Sequence, residues 1–271
     1  MSGTGRPTTQ IAYSPGMDIP FDGHAVARLR AERLAASSKP FVARGGAAGR
    51  CTRCRLPPAH CICDLRPAPA LDSRAGMCLL MGDIEALKPS NTGWLIADLV
   101  PDTWAFAWSR TRVDDRLLAL LDDPQWQPYV VFPGEFVTPP RVVTDQVDGD
   151  ALAQAGRRPL FVLLDGTWTE ARKMFNKSPY LARFHVLSLQ PGRASGYRLR
   201  RSVREDHFCT AEVAAFCLAL AGEAHAGELL ATWLDVFSTH YLDAKRHLRP
   251  SRDTEADRRL RSLVQAPALP A

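Results

Sequence analysis

Residues 160–174 read LFVLLDGTWTEARKM, a pattern typical of a strand, a turn and a helix in an α/β fold. Its first five residues form a short apolar run and a glycine follows one residue later, so we predict a buried strand that ends in a tight turn. Thr167 or Thr169 can cap a following helix, and Glu170 lies in its first turn, where the helix dipole favours an acid. Asp165 is then either an ordinary turn residue or a ligand-binding group at the carboxyl end of the strand, where open α/β sheets place their ligands.

Other apolar patterns surround this stretch. They predict strands at residues 77–81, 103–108, 129–132 and 185–189, and helices at residues 25–36, 91–99, 112–121, 210–221 and 228–247. The helix after the quoted strand is predicted to run through Phe175, and residues 138–158 are predicted to form a loop with a short helix. Because strands alternate with helices, the sequence predicts an α/β fold with a mainly parallel sheet flanked by helices.

The length and composition exclude some classes of protein. The chain has 271 residues, of which 46% are apolar, enough for one sizeable core and a small appendage. No apolar stretch reaches the roughly 18 residues of a transmembrane helix, and residues 1–18 lack the apolar segment of a secretory signal. We therefore expect a cytoplasmic protein without a membrane partner. Its expected parts are a flexible extension (1–45), a cysteine-rich zinc module (46–70), a main domain (71–250) and a basic tail (251–271).

Four of the seven cysteines are crowded into one short segment. They are arranged as Cys51-x-x-Cys54 followed by Cys61-x-Cys63. In a chain without a secretory signal, such crowding favours a metal site over disulfides, and four reduced cysteines without a metal leave the crowding unexplained. Four thiolates complete a tetrahedral zinc site with no open position, so we predict a structural zinc ion. His60 is a possible substitute ligand.

The basic residues are unevenly distributed. The net charge of +5 is only mildly basic and does not by itself indicate a nucleic-acid partner. Five arginines nevertheless fall in one short segment: Arg193, Arg198, Arg200, Arg201 and Arg204. Glycine and serine residues among them predict a loop that can approach a polyanion. The basic residues of the C-terminal tail are more typical of a solvated face.

Six blocks of the chain, in order, resemble the DTW-domain family. The family is named for its Asp-x-Thr-Trp motif, which is Asp165-Gly166-Thr167-Trp168 in this sequence. The blocks are CTRCRLPPAHCICD (51–64), KPSNTGWLIAD (88–98), VFPGE (131–135), LLDGTWTEARKM (163–174) with KSPYL (177–181), SGYRLR (195–200) and CTAEVAA (209–215). A four-residue motif alone is weak evidence, whereas six blocks in sequence order are strong evidence. The resemblance runs from Cys51 to about Leu220.

The resemblance implies a fold and an activity. The bacterial branch of this family transfers the 3-amino-3-carboxypropyl group of S-adenosylmethionine to ring N3 of a uridine in tRNA and releases methylthioadenosine. The main domain would then be a DTW catalytic domain with a SPOUT-like fold, whose C-terminal part forms a knot around the co-substrate. Two alternatives remain: a SPOUT-like RNA methyltransferase, and a non-catalytic zinc-containing RNA-binding protein. The oligomeric state is left open.

The chain departs from the family pattern at two places. Many relatives carry a histidine a few residues before the position of Glu85, where this chain has Gly82 and Asp83. Any role of that histidine therefore does not transfer to this protein. Cys209 stands where serine is frequent.

With this resemblance, the expected site residues can be named. Asp165 is the candidate catalytic group, either as a base for the proton of the uridine ring or as an anchor for the co-substrate. Cofactor contacts are expected from Phe132, Pro133, Gly134, Asp165, Gly166, Thr167, Trp168, Tyr197 and Thr210. RNA contacts are expected from Lys88, Asn91, Arg172, Lys173, Arg198 and Arg200. The zinc module, with Arg53 and Arg55, is expected to hold the body of the tRNA.

Overall fold

The computed structural model of the protein describes residues 23–38, 41, 49–70, 73–189 and 208–265. The strands are β1 (Gly76–Met81), β2 (Thr103–Ala107), β3 (Trp126–Val131), β4 (Val143–Thr144), β5 (Arg158–Asp165) and β6 (His185–Leu187). The helices are α1 (Ala25–Ala35), α2 (Gly93–Leu99), α3 (Asp115–Asp122), α4 (Gly149–Gln154), α5 (Trp168–Lys177), α6 (Thr210–Leu220), α7 (Ala224–Lys245) and α8 (Glu255–Gln265). The predicted strands and helices are confirmed, with ends that differ by a few residues.

The strands of the described residues form one parallel sheet in the order β2-β1-β5-β3-β6-β4. The predicted α/β fold with a parallel sheet is therefore confirmed. The two-residue strand β4 lies in the segment that the sequence predicts as a loop with a short helix. That part of the prediction was incomplete, because two residues give no alternating pattern that can be recognised.

Helices cover both faces of the sheet. All six residues of β1 are buried, and residues 77–81 alternate between two apolar clusters. Met77, Leu79 and Met81 pack in the cluster that contains residues of α1, α2, α6 and α7. Cys78 and Leu80 pack in the cluster that contains residues of α3 and α5. A strand buried on both faces explains why the central strands are continuous apolar runs.

The segment predicted as a flexible extension contains a packed helix. Helix α1 confirms the predicted helix, and its Val26 and Leu29 are buried in the core. Arg30 Nη1 also donates a hydrogen bond to the carbonyl of Leu87 at 2.6 Å. The prediction of a flexible extension is therefore wrong for this helix, because its apolar face and one arginine are bound to the main domain.

The predicted basic tail also contains a packed helix. Leu260 of α8 is buried against the core, and Asp257 lies 2.9 Å from His240 Nε2 of α7. The basic residues of α8 lie on a solvated face, as expected, but the helix also has a buried face that was not predicted. Its basic side chains point outward while one apolar and one acidic side chain are buried, a pattern that the high charge of the segment obscures.

Two further expectations concern the chain as a whole. Within the described residues, no helix combines the length and the hydropathy that a membrane crossing requires. The C-terminal knot stays a prediction, because residues 190–207, which connect β6 to α6, lie outside the described part of the chain.

Candidate active site and metal centre

Strands β1 and β5 form the point where the sheet reverses its order. They are neighbours, yet the chain leaves β1 for β2 on one side and leaves β5 for β6 on the other. Their following helices, α2 and α5, lie on opposite faces of the sheet. Parallel sheets open a crevice outside the carboxyl ends of two such strands. Asp165 is the last residue of β5, so it lies at the edge where this crevice begins.

Asp165 joins three segments that are far apart in the sequence. Its side chain is buried, with 2% of the residue exposed. Thr210, the first residue of α6, donates its hydroxyl to Asp165 Oδ1 at 2.6 Å. Asn91 donates its side-chain amide to Asp165 Oδ2 at 2.7 Å. We call these three residues the Asp165 junction; it brings together two of the predicted cofactor residues and one predicted RNA residue.

Asn91 is held in a fixed orientation. The backbone amide of Trp94 donates to Asn91 Oδ1 at 3.1 Å, so the NH₂ group of Asn91 faces Asp165. Asn91 is fully buried, and it lies just before Thr92, the residue that precedes the first residue of α2. The predicted RNA contact does not fit such a residue. Asn91 instead donates to Asp165, a partner 74 positions away in the sequence.

Gly93 is the first residue of α2 and lies directly against the carboxylate. A Cβ atom at this position would lie 2.8 Å from Asp165 Oδ2 and 3.2 Å from Leu79 Cδ1. Both distances are shorter than an ordinary contact, and neither neighbour is on the surface. The glycine in the block KPSNTGWLIAD is therefore required because α2 approaches Asp165 so closely.

We expect Gly93→Ala to lower the free energy of unfolding by about 1–3 kcal/mol, because the added methyl group must displace the carboxylate of Asp165. The matched control is Gly149→Ala at the first residue of α4, where the nearest atom to the new Cβ is 3.8 Å away. Urea unfolding of both variants measures the effect. Equal stability of the two variants would contradict the close packing at the junction.

The start of α5 is closed by a capping box. The hydroxyl of Thr167 accepts a hydrogen bond from the backbone amide of Glu170, and the carboxylate of Glu170 accepts from the backbone amide of Thr167 at 2.7 Å. The alternative in which Thr167 caps the helix is therefore confirmed. Gly166 precedes the cap, and a Cβ there would lie 3.0 Å from Glu170 Cβ. Gly166 and Thr167 thus shape the turn after Asp165.

Aromatic side chains form a stack beside this turn. The ring of Trp168 lies parallel to that of Phe132 with 5.5 Å between centroids, and Phe132 lies parallel to Phe175 at 4.1 Å. Phe136 meets the edge of Trp168 at 5.1 Å. Phe132 is buried, so the predicted cofactor contact does not fit its side chain. Its position in the stack instead supports Trp168, which is half-buried.

An open cavity of about 510 Å³ lies at the carboxyl ends of β3, β6 and β4. Gly134 lines it, and the backbone amide of Gly134 donates to Ser188 Oγ at 2.9 Å. Pro133 immediately precedes this contact. Another cavity, of about 360 Å³, lies around Arg157 and Glu223 at the opposite edge of the sheet and contains none of the predicted site residues.

The predicted RNA residues have different environments. Arg172 and Lys173 are exposed on α5, where the Arg172 guanidinium lies over Phe136 and the Lys173 ammonium over Trp108. Lys88 instead forms an ion pair with the fully buried Glu85, so it serves as the counter-ion of a buried carboxylate. The remaining predicted residues, Tyr197, Arg198 and Arg200, lie outside the described part of the chain.

Sequence reasoning assigned no function to Glu85, although the structure places it near the junction. Its Cγ lies 3.4 Å from the position of a Cβ on Gly82, the residue after β1, and Glu170 Oε1 lies 3.5 Å from the same point. The one sequence feature that could have indicated a role for Glu85 is its location a few residues after a buried strand. Periodicity alone gives no reason for an acid in that place to be buried.

The four crowded cysteines form a cluster that fits a metal ion. Their sulfur atoms all lie within 4.8 Å of one another, with 3.5 Å between Cys51 and Cys63 and 3.6 Å between Cys54 and Cys61. A tetrahedral zinc ion with bonds of about 2.3 Å needs sulfur atoms about 3.8 Å apart. All four cysteines are free thiols. The chemistry and the spacing of this cysteine cluster therefore suit zinc.

Hydrogen bonds among these thiols affect their ionisation. Hydrogen bonds from the other three thiols, that of Cys54 first, lower the pKa of Cys51. Hydrogen bonds with the other three thiols, that of Cys51 first, raise the pKa of Cys63. The four thiols therefore differ in how readily each one becomes a thiolate. A divalent cation removes this difference, because it stabilises all of its thiolate ligands together.

Two neighbours of the cysteine cluster do not have their predicted roles. His60 Nε2 lies 3.1 Å from the carbonyl of Leu248, and His60 is not among the residues that can share a metal. The prediction of a substitute ligand is therefore wrong. Arg55 is only 4% exposed, so it does not suit contact with a tRNA, whereas Arg53 is exposed.

Comparison with known proteins agrees with this geometry. The family model named DTW domain matches residues 48–242. A curated relative, tRNA-uridine aminocarboxypropyltransferase 2 of Drosophila melanogaster, is 28% identical over 178 residues. That alignment covers 63% of this chain and 66% of the relative, just under two thirds of the relative's length. No solved structure gives a significant match to the chain. Because the matched region spans most of the chain and contains both the cysteine cluster and the Asp165 junction, this protein belongs to the DTW-domain family.

Proposed function

We propose that this protein transfers the 3-amino-3-carboxypropyl group of S-adenosylmethionine to ring N3 of a uridine in tRNA. The observation that carries the proposal is the Asp165 junction, which lies at the reversal point of the sheet within the DTW domain. The name of the Drosophila relative supports the same reaction and the same class of substrate. A simple RNA-binding module has no need of a buried carboxylate network at this edge of a sheet.

The proposed reaction is a displacement at carbon. The N3 atom of uridine forms a bond to the γ-carbon of the donor's amino-acid arm, and the bond between that carbon and the sulfonium sulfur breaks. Its electron pair stays on sulfur, which gives neutral methylthioadenosine. The N3 proton leaves to a base or to water. Which group is transferred depends on which carbon faces the nucleophile in line, so the main task of the site is orientation.

We propose that Asp165 orients the site and is not the base. A base must present a lone pair to the uridine, yet Asp165 is only 2% exposed and its two oxygens face Thr210 and Asn91 inside the protein. The same bonds make Asp165 suitable for fixing the starts of α2 and α6 relative to β5. Fixing these helix starts would also hold the segments that bind S-adenosylmethionine. These segments are the turn of Gly166 and Thr167 and the backbone around Gly134.

The RNA would approach over α5. Arg172 and Lys173 are exposed there, next to the half-buried Trp168, and cations beside aromatic rings suit phosphates and unstacked bases. Arg198 and Arg200, together with Tyr197, are proposed to complete the contacts to the donor carboxylate or to the phosphates. The four cysteines would hold zinc, which in a closed site contributes to the fold and supplies no reaction chemistry.

The proposal can be tested by following a label. The purified protein is incubated with transcribed tRNA and with S-adenosylmethionine that carries the label either in the methyl group or in the carboxyl carbon. The proposed reaction moves the carboxyl label into RNA and leaves the methyl label in the small-molecule fraction. A methyltransferase gives the opposite result, and a non-catalytic RNA-binding protein moves neither label. Either of these two outcomes would overturn the proposal.

A further inference from the structure

We infer that Arg55 is a positioning residue that connects the cysteine cluster to the Asp165 junction. The inference rests on the proposed function only where it concerns binding of S-adenosylmethionine. The structural part, that Arg55 holds Asn91 in place, stands on contacts between described residues. It also gives the cysteine cluster a structural role at the Asp165 junction, because the turn that contains two of the cysteines fixes Arg55.

Arg55 is fixed to the cysteine cluster through its backbone. It directly follows Cys54, and its amide donates to the carbonyl of Cys51 at 2.8 Å. Its carbonyl accepts from Arg50 Nη1 at 3.1 Å. The backbone has a φ of 65°, a left-handed conformation that residues other than glycine adopt mainly where the surroundings hold them. Ligation of both Cys51 and Cys54 by one ion would hold this turn closed.

The side chain of Arg55 reaches the segment before α2. Its Nη1 donates to the carbonyl of Asn91 at 2.6 Å and to that of Pro89 at 3.2 Å. The guanidinium lies between two aromatic rings, 4.6 Å from that of Trp94 and 4.9 Å from that of Phe237. A planar guanidinium can stack and donate at the same time, which an ammonium group does less well.

Asn91 connects Arg55 to the carboxylate of Asp165, because it is hydrogen-bonded to both. Arg55 holds its backbone carbonyl, the amide of Trp94 holds its Oδ1, and its Nδ2 donates to Asp165 at 2.7 Å. The backbone amide of Asn91 also donates, to the carbonyl of Lys88 at 3.0 Å, so all four polar groups of this fully buried residue are engaged. A shift of the Asn91 backbone is expected to lengthen the bond to Asp165, because the side chain cannot rotate to compensate without losing its contact with the Trp94 amide.

The test compares two conservative substitutions, Arg55→Lys and Arg158→Lys. Arg158 is a matched control, because its guanidinium also stacks on a tryptophan, 4.5 Å from Trp126, and donates to the carbonyl of Arg74 at 2.8 Å. It lies at the amino end of β5, on the opposite edge of the sheet from Asp165. Three quantities are measured for each variant: zinc content, affinity for S-adenosylmethionine, and the hydrogen-exchange rate of the Trp94 amide.

For Arg55→Lys we expect wild-type zinc content, affinity for S-adenosylmethionine weakened about tenfold, and exchange of the Trp94 amide accelerated by a similar factor. For Arg158→Lys we expect the affinity for S-adenosylmethionine and the exchange rate of the Trp94 amide to stay within about twofold of wild type. Unchanged exchange of the Trp94 amide in Arg55→Lys would overturn the inference. So would equal effects of the two substitutions, which would indicate a general loss of stability.

A second variant keeps the inference testable if Arg55→Lys does not fold. Asn91→Ser retains the backbone carbonyl that Arg55 contacts but shortens the side chain that reaches Asp165, so we expect the same tenfold loss of affinity. Wild-type affinity in Asn91→Ser would overturn the inference. If the wild-type protein itself does not bind S-adenosylmethionine, the proposed function fails, whereas the exchange rates still decide the role of Arg55.

Discussion

Replacing Asp165 with asparagine is expected to lower the rate of aminocarboxypropyl transfer by about 100-fold or more and the free energy of unfolding by about 1–3 kcal/mol. The carboxylate accepts a hydrogen bond from Thr210 at one oxygen and from Asn91 at the other. A side-chain amide has one acceptor oxygen and no charge, so one donor loses its acceptor and the other bond is weakened. Single-turnover assays and urea unfolding measure the two effects separately.

The matched control for this prediction is Asp148→Asn. Asp148 also uses its carboxylate to accept a bond at a helix start, from the amide of Ala151 at 2.9 Å, and asparagine caps helices equally well. Its transfer rate is expected to stay close to that of the wild type. If Asp165→Asn turned over at a rate within about threefold of Asp148→Asn, the junction would have no part in the reaction.

Loss of one cysteine ligand is expected to have the second large effect. We expect freshly purified, reduced protein to contain one zinc ion per chain and Cys54→Ser to contain none, with stability reduced by several kcal/mol. Cys54 is buried in the main core together with Leu56 and Ile62, so loss of the metal releases a segment that the core depends on. Elemental analysis and thermal unfolding provide the two measurements.

Cys217→Ser serves as the control for the metal site. Cys217 is fully buried in α6 and lies outside the cysteine cluster, so its replacement tests burial of a hydroxyl without touching a ligand. We expect that variant to retain its zinc. A wild-type protein without metal would refute the predicted zinc site, and so would equal zinc content in Cys54→Ser and Cys217→Ser.

Features that depend on local sequence could be predicted. The strand that ends at Asp165, the turn at Gly166 and the cap at Thr167 all follow from residues within one short stretch. The cysteine cluster was predictable because the spacing of its members is itself local. Propensity, capping and ligand spacing act over a few residues, so the sequence contains the whole signal.

Features that depend on tertiary contacts could not be predicted. Asn91 and Asp165 are 74 positions apart, and nothing near Asn91 indicates which carboxylate it meets. Arg55 was expected, with Arg53, to help hold the body of the tRNA. Its stacking partners Trp94 and Phe237 come from two helices that are distant in the sequence. Burial of a charged side chain is decided by partners that only the folded chain brings together.

The most direct test of the proposed function is the stoichiometry of the two products. After reaction with tRNA and S-adenosylmethionine, nucleosides and small molecules are quantified by mass spectrometry in the same sample. We expect one methylthioadenosine for each uridine that gains an aminocarboxypropyl group. Formation of S-adenosylhomocysteine with a methylated nucleoside, or of neither product while tRNA is bound, would contradict the account.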